Sequence, residues 1–256
     1  MSLTLFLASK IAADYNRKTS SFTVRLRTPI QVPRDAKECY VKVIQADIWN
    51  LVPNVSPTLG NTITVQPGGV GPDITVTIAI GQYSFEALGS AISNELLKQG
   101  VSTDTLIIGA NAATQKITLK TATAGTIVKF VGATSMYKIL GFEQDTQVTL
   151  TDPGVEYDAP NIAQFNVINA FLIHCDLVDD GIPINGEYTQ TIAKVPITVR
   201  SGSLITYVPA YPVSAPASGL IGNTRNQLRL YLTSEDGTTF VDTQENYSVL
   251  LEITYK

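Results

Sequence analysis

One helical segment lies between long strand-like runs, and this arrangement limits the fold more than any other feature of the sequence. Its apolar residues recur at helical spacing: Phe85, Leu88, Ile92 and Leu96. Ser84 is suited to cap the helix, because a serine hydroxyl accepts a hydrogen bond from a free amide of the first turn. Gly100 is suited to end it, because glycine adopts the left-handed conformation without steric cost. The sequence therefore predicts a helix over 84–99.

Runs of alternating apolar and polar residues on both sides of this helix predict strands. The runs are 3–7, 21–27, 39–49, 61–65, 73–80, 147–150, 167–178, 188–198, 204–208, 227–232 and 247–255. The prolines of 28–33 lack the amide that a strand ladder needs, so this step is expected to break the second run. The third run is long enough to contain a bulge, and 167–178 is apolar enough to be buried on both faces, or on one face and at an interface. Helices do not alternate with strands, which favours a sandwich or jelly roll over a parallel βαβ fold.

The helical segment continues into a small mixed unit. Two alternating runs, 116–120 and 126–130, are joined by a short polar link that contains Gly125, which predicts a β-hairpin. One or two helical turns then end at Gly141. The order helix, hairpin, short helix predicts a small inserted α+β domain at 83–142.

The remaining segments, 1–82 and 143–256, would together form a discontinuous base domain. The predicted fold class is therefore mainly β: a jelly-roll sandwich with an inserted small α+β domain.

Composition excludes several classes of function. Of 256 residues, 44% are hydrophobic and 16% charged, which favours a folded chain. The net charge of −4 gives no basic footprint for nucleic acid, so direct nucleic-acid binding is not expected. Apolar runs stay well short of the roughly 20 residues needed to cross a bilayer, so no membrane span is expected. The apolar stretch 3–8 lacks a preceding basic region and is too short for a signal-peptide core.

Two cysteines, Cys39 and Cys175, lie far apart in the sequence. Their scarcity favours a reducing compartment, although a single disulfide between them stays open. No spacing of histidine, cysteine and carboxylate residues matches a metal site, so no metal site is predicted.

The one histidine, His174, would have to serve any histidine-dependent catalytic triad. It lies in a predicted strand, where neighbouring side chains point to opposite faces, so it cannot pair with Cys175 as base and nucleophile. Asp176 shares its face and could orient it. The favoured alternative is a structural histidine, hydrogen-bonded within a sheet or a subunit interface. We therefore predict no catalytic residue at this position.

Three short segments resemble ligand sites but are better explained as turns. Asp179, Asp180 and Gly181 could offer oxygens to calcium, but no further acids follow at loop-site spacing. Residues 235–237 form an acidic turn that fits a hairpin. The glycine-rich 67–72 could be taken for a phosphate loop, but a strand follows it rather than the helix N-terminus that such a loop needs.

An arginine group and the aromatic residues are candidates for binding surfaces. Arg25, Arg27 and Arg34 could meet phosphate or the carboxylates of a neighbouring subunit, and their alternative is a solvated strand face. Trp49 and the eleven tyrosines could line a sugar site, although aromatic residues more often fill a core or an interface.

A set of short motifs, in order along most of the chain, carries a family resemblance. The segments are 3–7, 21–26, Thr-Pro-Ile-x-Val-Pro at 28–33, 44–48, 52–54, Tyr-Ser-Phe-Glu-Ala-Leu at 83–88, 91–92, 116–119, 139–142 and Leu-Ile-His-Cys-Asp-Leu-Val at 172–178. In this combination the chain resembles the penton proteins of virophages and Polinton-like viruses, which are minor capsid proteins at the vertices of icosahedral capsids.

The resemblance implies a jelly roll with an inserted domain, five copies of which form a homopentameric capsomer at each fivefold vertex. It also implies contact with neighbouring capsomers of the major capsid protein, a location in the virion after assembly inside the host cell, and neither enzyme activity nor a cofactor. The length argues against a double jelly-roll major capsid protein, which needs two sandwiches.

Two other classes of function stay open. The first is a receptor- or glycan-binding head of a viral spike or tail, for which the Pro-, Ser- and Ala-rich segment 209–222 would be an exposed loop. The second is a polysaccharide-degrading β-protein, which would need paired carboxylates about 5–9.5 Å apart. The acids of this chain fall mostly at turns, where nothing pairs them.

Overall fold

Antiparallel strands make up most of the regular structure, as the alternating runs predict. A computed structural model describes residues 1–12, 14–111, 113–200, 202–242 and 245–256. The strands are β1 (Ser2–Ala8), β2 (Phe22–Gln31), β3 (Cys39–Trp49), β4 (Thr62–Gln66), β5 (Ile74–Thr77), β6 (Ile107–Asn111), β7 (Lys116–Lys120), β8 (Thr126–Phe130), β9 (Thr146–Leu150), β10 (Tyr157–Asp158), β11 (Ala170–Cys175), β12 (Thr191–Pro196), β13 (Leu204–Tyr207), β14 (Ala215–Pro216), β15 (Thr224–Thr233) and β16 (Ser248–Tyr255). The α-helices are α1 (Phe85–Lys98) and α2 (Tyr137–Leu140). Short 3-10 helices are Ser9–Ile11, Arg17–Thr19, Pro67–Gly69, Thr103–Thr105 and Ser218–Leu220.

The chain divides into two compact units. The first unit is Met1–Val52 together with Ile168–Lys256, and the second unit is Pro53–Val167. The second unit is therefore wider on both sides than the segment 83–142 that the sequence suggests. The difference arises because β4, β5 and β9 pair within the second unit, whereas local sequence patterns carry no information about which strands pair.

Two antiparallel sheets form the first unit. The first sheet has the order β1-β16-β3-β13, with β14 also paired to β3, and the second sheet has the order β12-β11-β15-β2. Successive strands along the chain repeatedly cross from one sheet to the other. The inward side chains of both sheets belong to one apolar cluster, so the two sheets share a single core.

β3 pairs on both sides within the first sheet and carries one extra residue. Leu250 lies opposite Gln45 and Leu251 lies opposite Val43, so Ile44 has no partner on β16. This β-bulge shifts the alternation of the strand by one residue. The buried apolar side chains accordingly change phase across it: Val41, Val43, Ala46 and Ile48. The predicted strand is confirmed, and so is its bulge.

β2 runs on to Gln31 through the step where the sequence predicts a break, but its ladder with β15 is interrupted there, so the prediction holds for the ladder and not for the strand. Arg25 lies opposite Gln227, and the next paired residue, Ile30, lies opposite Arg225. Residues 26–29 therefore bulge away from β15, and the bulge includes a proline that needs no ladder partner there. β2 is also an edge strand, a position where proline is tolerated.

An aromatic cluster lies in the core of the first unit. The Tyr247 ring meets the Phe22 ring edge-on at 5.2 Å and the Tyr15 ring at 6.2 Å. Its buried hydroxyl donates to the Ser20 carbonyl at 2.7 Å, so the one polar atom of the ring is satisfied. Because Tyr247 immediately precedes β16 and Phe22 begins β2, the cluster joins the two sheets.

α1 of the second unit forms as the sequence predicts. The Ser84 hydroxyl accepts a hydrogen bond from the Ala87 amide at 3.2 Å, and Gly100 has φ +78° just after the helix. The buried face consists of Leu88, Ile92 and Leu96. This face packs into a core that both sheets of the second unit share.

The predicted hairpin of 116–120 with 126–130 is wrong. β7 pairs with β6 and β10, whereas β8 pairs with β4 and β9, so the two runs lie in different sheets. The link between them passes from one sheet to the other. Sequence analysis missed β6 (Ile107–Asn111), which supplies the antiparallel partner that β7 takes instead. The short helix before Gly141 is confirmed as α2.

A buried asparagine ties together the two ends of the second unit. The Asn54 side-chain amide donates to the carbonyls of Tyr83 at 2.9 Å and Phe165 at 3.2 Å. Its Oδ1 accepts from the Tyr83 amide at 2.8 Å. Asn54 follows the start of this unit and Phe165 precedes its end, so these bonds close it on itself.

These bounds predict different outcomes for two deletions. Replacing 53–167 with a flexible Gly/Ser linker of about 12 residues should leave a first unit that unfolds cooperatively in urea. The same linker in place of 83–142 should give a protein that binds a hydrophobic dye and loses cooperativity. That deletion removes the partners that bury Ile63, Val65 and Val148. Equal stability of the two variants would contradict the assigned bounds.

Candidate functional site

His174 lies at the centre of a buried polar cluster on the second sheet. Its Nε2 is 2.7 Å from the Thr233 hydroxyl on β15, and its Nδ1 is 3.2 Å from the Thr191 hydroxyl on β12. The imidazole stacks on the Tyr231 ring at 4.5 Å, with an angle of 2° between the planes. The histidine therefore bridges the two strands that flank β11.

The His174 imidazole is neutral at neutral pH. One nitrogen of a neutral ring donates and the other accepts, and each threonine hydroxyl can take the matching role, so both ring nitrogens are satisfied. Burial disfavours the charged form and lowers the pKa of His174 to about 4. The ring is a structural crosslink at neutral pH, as the favoured interpretation of the sequence holds.

The neighbours of His174 do not supply a catalytic partner. Burial raises the pKa of the Cys175 thiol to about 12, and burial also raises the pKa of Cys39. Asp176 uses its Oδ1 to accept from the Arg229 amide at 2.8 Å, and the imidazole nitrogens contact threonines instead. Among the described residues, both cysteines are free thiols that stay protonated at neutral pH.

The acidic turn at 235–237 holds the loop after β15. Asp236 accepts hydrogen bonds from the amides of Thr238 and Thr239 and from the hydroxyls of Ser234 and Thr239. Glu235 accepts from Asn169 and Ala170 at the start of β11. Phe240, at the end of the loop, pairs with Thr233 in an isolated bridge.

This turn reverses the chain as a hairpin does, since Thr233 pairs antiparallel with Phe240, but the returning segment is short and no long strand follows in the same sheet. β16, the next long strand, lies in the first sheet, whereas β15 lies in the second. The hydrogen bonds of Asp236 instead position Phe240, whose ring lies 5.7 Å from the ring of Tyr231. Glu235 and Asp236 thus hold the loop that carries Phe240 beside Tyr231.

The other suspected ligand sites are turns. The Asp179 carboxylate accepts from the Gly219 amide at 2.7 Å. No group of three or more potential metal-ligating side chains occurs in the part of the chain that the structure describes. Residues 67–72 connect β4 to its antiparallel partner β5, and no helix follows. Gly69 has φ +68°, and a Cβ there would lie 2.8 Å from the Gly125 carbonyl oxygen, which explains the glycine.

Arginines of β2 and β15 share the outer face of the second sheet. Arg25 and Arg27 are exposed, and the register adds Arg225 and Arg229 from β15, which sequence analysis missed. The Arg229 guanidinium lies 5.5 Å from the Tyr231 ring centre. Within the described ranges, no arginine forms an ion pair. Arg34 lies apart, beyond the end of β2, with its side chain against Gly222.

Trp49 lines a groove on the outer face of the first sheet rather than filling the core. The groove has a volume of about 550 Å³ and its walls include Phe6, Trp49 and Leu204. Asp47 lies on its floor. The segment 209–222 is an exposed loop only in its first half, where Tyr211 is 92% exposed; its second half contains β14 and buries Ala215, Ala217 and Leu220.

The structure was compared with known proteins. No protein-family model matches the chain, and no curated protein sequence matches it. The crystal structure of the mavirus penton protein is similar over 100% of both chains, at 11% identity and a TM-score of 0.52. The 3.5 Å cryo-EM structure of the Sputnik virophage is matched over 98% of this chain and 97% of that chain, at 11% identity and a TM-score of 0.46.

The likeness to the mavirus protein extends over the whole length and shows a penton-protein fold. This confirms the resemblance inferred from the sequence and the mainly β fold class. None of the helices in the described ranges is long and apolar enough to cross a membrane.

The buried histidine predicts a pH-dependent stability. The unfolded chain binds a proton at His174 near pH 6.5, whereas the folded chain does so near pH 4. Stability should therefore fall as the pH drops from 6.5 to 4, by about 3 kcal/mol in total, and then level off for this group. Urea unfolding across this range should show the effect as a difference between the wild type and His174→Gln. Identical pH slopes in both proteins would contradict it.

Removal of the Asp236 carboxylate should disorder the loop that follows β15. Four hydrogen bonds keep the pKa of Asp236 well below its usual range, so its stabilisation is present above about pH 4 and is lost as the pH falls. Asp236→Ala should lower the free energy of unfolding by about 1–2 kcal/mol and speed amide exchange at Thr238 and Thr239. Asp180→Ala, at an exposed turn, serves as the control and should change stability by less than about 0.5 kcal/mol. Unchanged exchange in Asp236→Ala would exclude this role.

Proposed function

We propose that this protein is a structural capsid protein that forms homopentameric capsomers at the fivefold vertices of an icosahedral virus. One observation carries the proposal: the fold is shared with the mavirus penton protein along the full length of both chains. The motifs that resemble virophage penton proteins add support, since they lie in the same order along the chain. The proposed location is the virion, after assembly in the host cell.

We further propose that the first unit is a jelly roll. Eight strands support this assignment, in the orders β1-β16-β3-β13 and β2-β15-β11-β12. Each order mixes strands from before and after the second unit, with successive strands crossing between two sheets over one core. Two facing antiparallel sheets of four main strands are the architecture of a jelly roll.

The proposed ring needs two different surfaces on each copy, because head-to-tail contacts close a ring by joining unlike patches. The first unit carries exposed apolar residues on its first sheet and exposed arginines on its second sheet. Exposed apolar patches of this kind are typical of protein interfaces. Neighbouring capsomers of the major capsid protein are the proposed partners at the rim of the ring, and direct contact with nucleic acid is not part of the proposal.

A structural role also agrees with the chemistry of the titratable side chains. His174 is neutral and committed to two threonine hydroxyls, and the Cys175 thiol is protonated at neutral pH. The proposed function therefore needs neither catalysis nor a cofactor. The alternative, a receptor- or glycan-binding head, keeps only the first half of its candidate loop, because the second half of 209–222 is tied to β3 and the core.

The solution mass of the purified protein tests the proposal. Light scattering after gel filtration should give five times the mass of one chain, either directly or once the concentration is raised, because ring contacts follow mass action. A stable trimer would contradict the proposal and favour a spike-like head. Virions labelled with an antibody against the protein should show it at the vertices only, and uniform labelling of the capsid faces would exclude the vertex role.

A further inference from the structure

The outer face of the first sheet carries a groove whose shape follows from the strand register. Ala8, Ser248 and Asp47 lie opposite one another on β1, β16 and β3. These are small or short side chains, so they form a low floor across three strands. The neighbouring positions on either side carry large side chains, which rise above the floor as walls.

The walls are apolar and unusually exposed. Phe6 forms one wall and is 65% exposed. Trp49 and Leu204, which are directly paired across β3 and β13, form the other and are 37% and 41% exposed. Ile11, 77% exposed, extends the patch at one end. Apolar side chains concentrated in one concave patch mark a binding surface, whereas scattered ones would not.

A carboxylate without a cation lies on the floor of this groove. Asp47 Oδ2 accepts from the Gln45 side-chain amide at 2.9 Å, and the Ser248 hydroxyl lies 3.5 Å away. The side chain is half-buried, and it makes no ion pair with the cations of the described residues. Lys10 also lines the groove, and among the described residues it forms no ion pair with Asp47. The hydrogen bonds fix the carboxylate in place while leaving its charge uncompensated.

Such a groove is complementary to a guanidinium group. Aromatic faces attract a cation stacked between them, and a fixed carboxylate accepts the N–H groups of arginine in its plane. Arginine is better suited than lysine, because its flat and weakly hydrated head can stack and form hydrogen bonds at the same time.

The same chain supplies arginines on a different surface. Arg25 and Arg27 are exposed on β2, an edge strand of the second sheet. Arg27 lies in the bulge 26–29, which leaves the ladder with β15. Neither arginine forms an ion pair among the described residues.

We propose that a second copy of this chain fills the groove: Arg25 and Arg27 of one copy dock beside Asp47 and against Phe6 and Trp49 of the next. The inference rests on the proposed ring and adds the contact that closes it. Groove and arginine strand are different patches, so each copy receives one neighbour and docks on another, as a closed ring requires. The apolar walls supply buried area, and the ion pair fixes the register.

A charge swap tests the contact. Asp47→Arg alone, and Arg25→Asp with Arg27→Asp, should each leave monomers at concentrations where the wild type is a ring. The triple variant, which combines all three changes, should recover the ring because the charges of every contact are reversed together. Asp180→Arg, a charge reversal at an exposed turn, should assemble like the wild type. Mass is measured by light scattering, and near-UV circular dichroism shows that each variant is folded.

Two milder variants keep the test valid if the charge reversals unfold the protein. Asp47→Asn keeps the shape of the floor, and Phe6→Ser removes one wall; each should weaken assembly at least about tenfold. If the wild type forms a ring and every groove variant forms the same ring, this contact is overturned and the vertex proposal stays intact. A wild type that never assembles would overturn the ring itself, and the contact with it. Binding of oligosaccharides in the groove with assembly unchanged would also overturn the contact.

Discussion

The pairing of β16 with strands from the beginning of the chain is the constraint on which the rest of the first unit depends. β16 lies between β1 and β3 and pairs with both along nearly its whole length. The chain cannot complete the first sheet until its last strand is available, although the second unit separates β3 from the strands that follow. Because of this long-range pairing, the core of the first unit forms only when Met1–Val52 and Ile168–Lys256 come together. The same pairing also explains how a self-contained second unit can lie within the chain without contributing to that core.

Local sequence predicted the elements better than it predicted their partners. The cap at Ser84, the bulge in β3 and the final strand can all be derived from residue types and periodicity, because short-range hydrogen bonds and sterics decide them. The hairpin of 116–120 with 126–130 failed because two strands can be adjacent in sequence and still lie in different sheets. The missed strand β6 is short and contains Gly109 and Ala110, which weakens the alternation of its side chains. The wider second unit follows from the same cause, since its bounds depend on strand pairing.

For the candidate sites, too, local sequence predicted single residues but not the partners that other strands supply. The structural role of His174 could be inferred from its place in an apolar strand, but its threonine partners could not, because they come from β12 and β15. The arginine group was incomplete for the same reason: Arg225 and Arg229 reach Arg25 only through the register of two strands far apart in sequence. The groove around Asp47 has no signal in any single segment. It arises where β1, β16 and β3 place small or short residues in one row, with large side chains on either side.

The rotational symmetry of the assembled particle tests the central claim most directly. Class averages of the purified assembly by electron microscopy, without imposed symmetry, would show the number of copies and whether the contacts are head-to-tail. The account predicts fivefold rings in which neighbouring copies meet through unlike faces. Particles with twofold symmetry, in which the same face meets itself, or threefold particles at every concentration would contradict it.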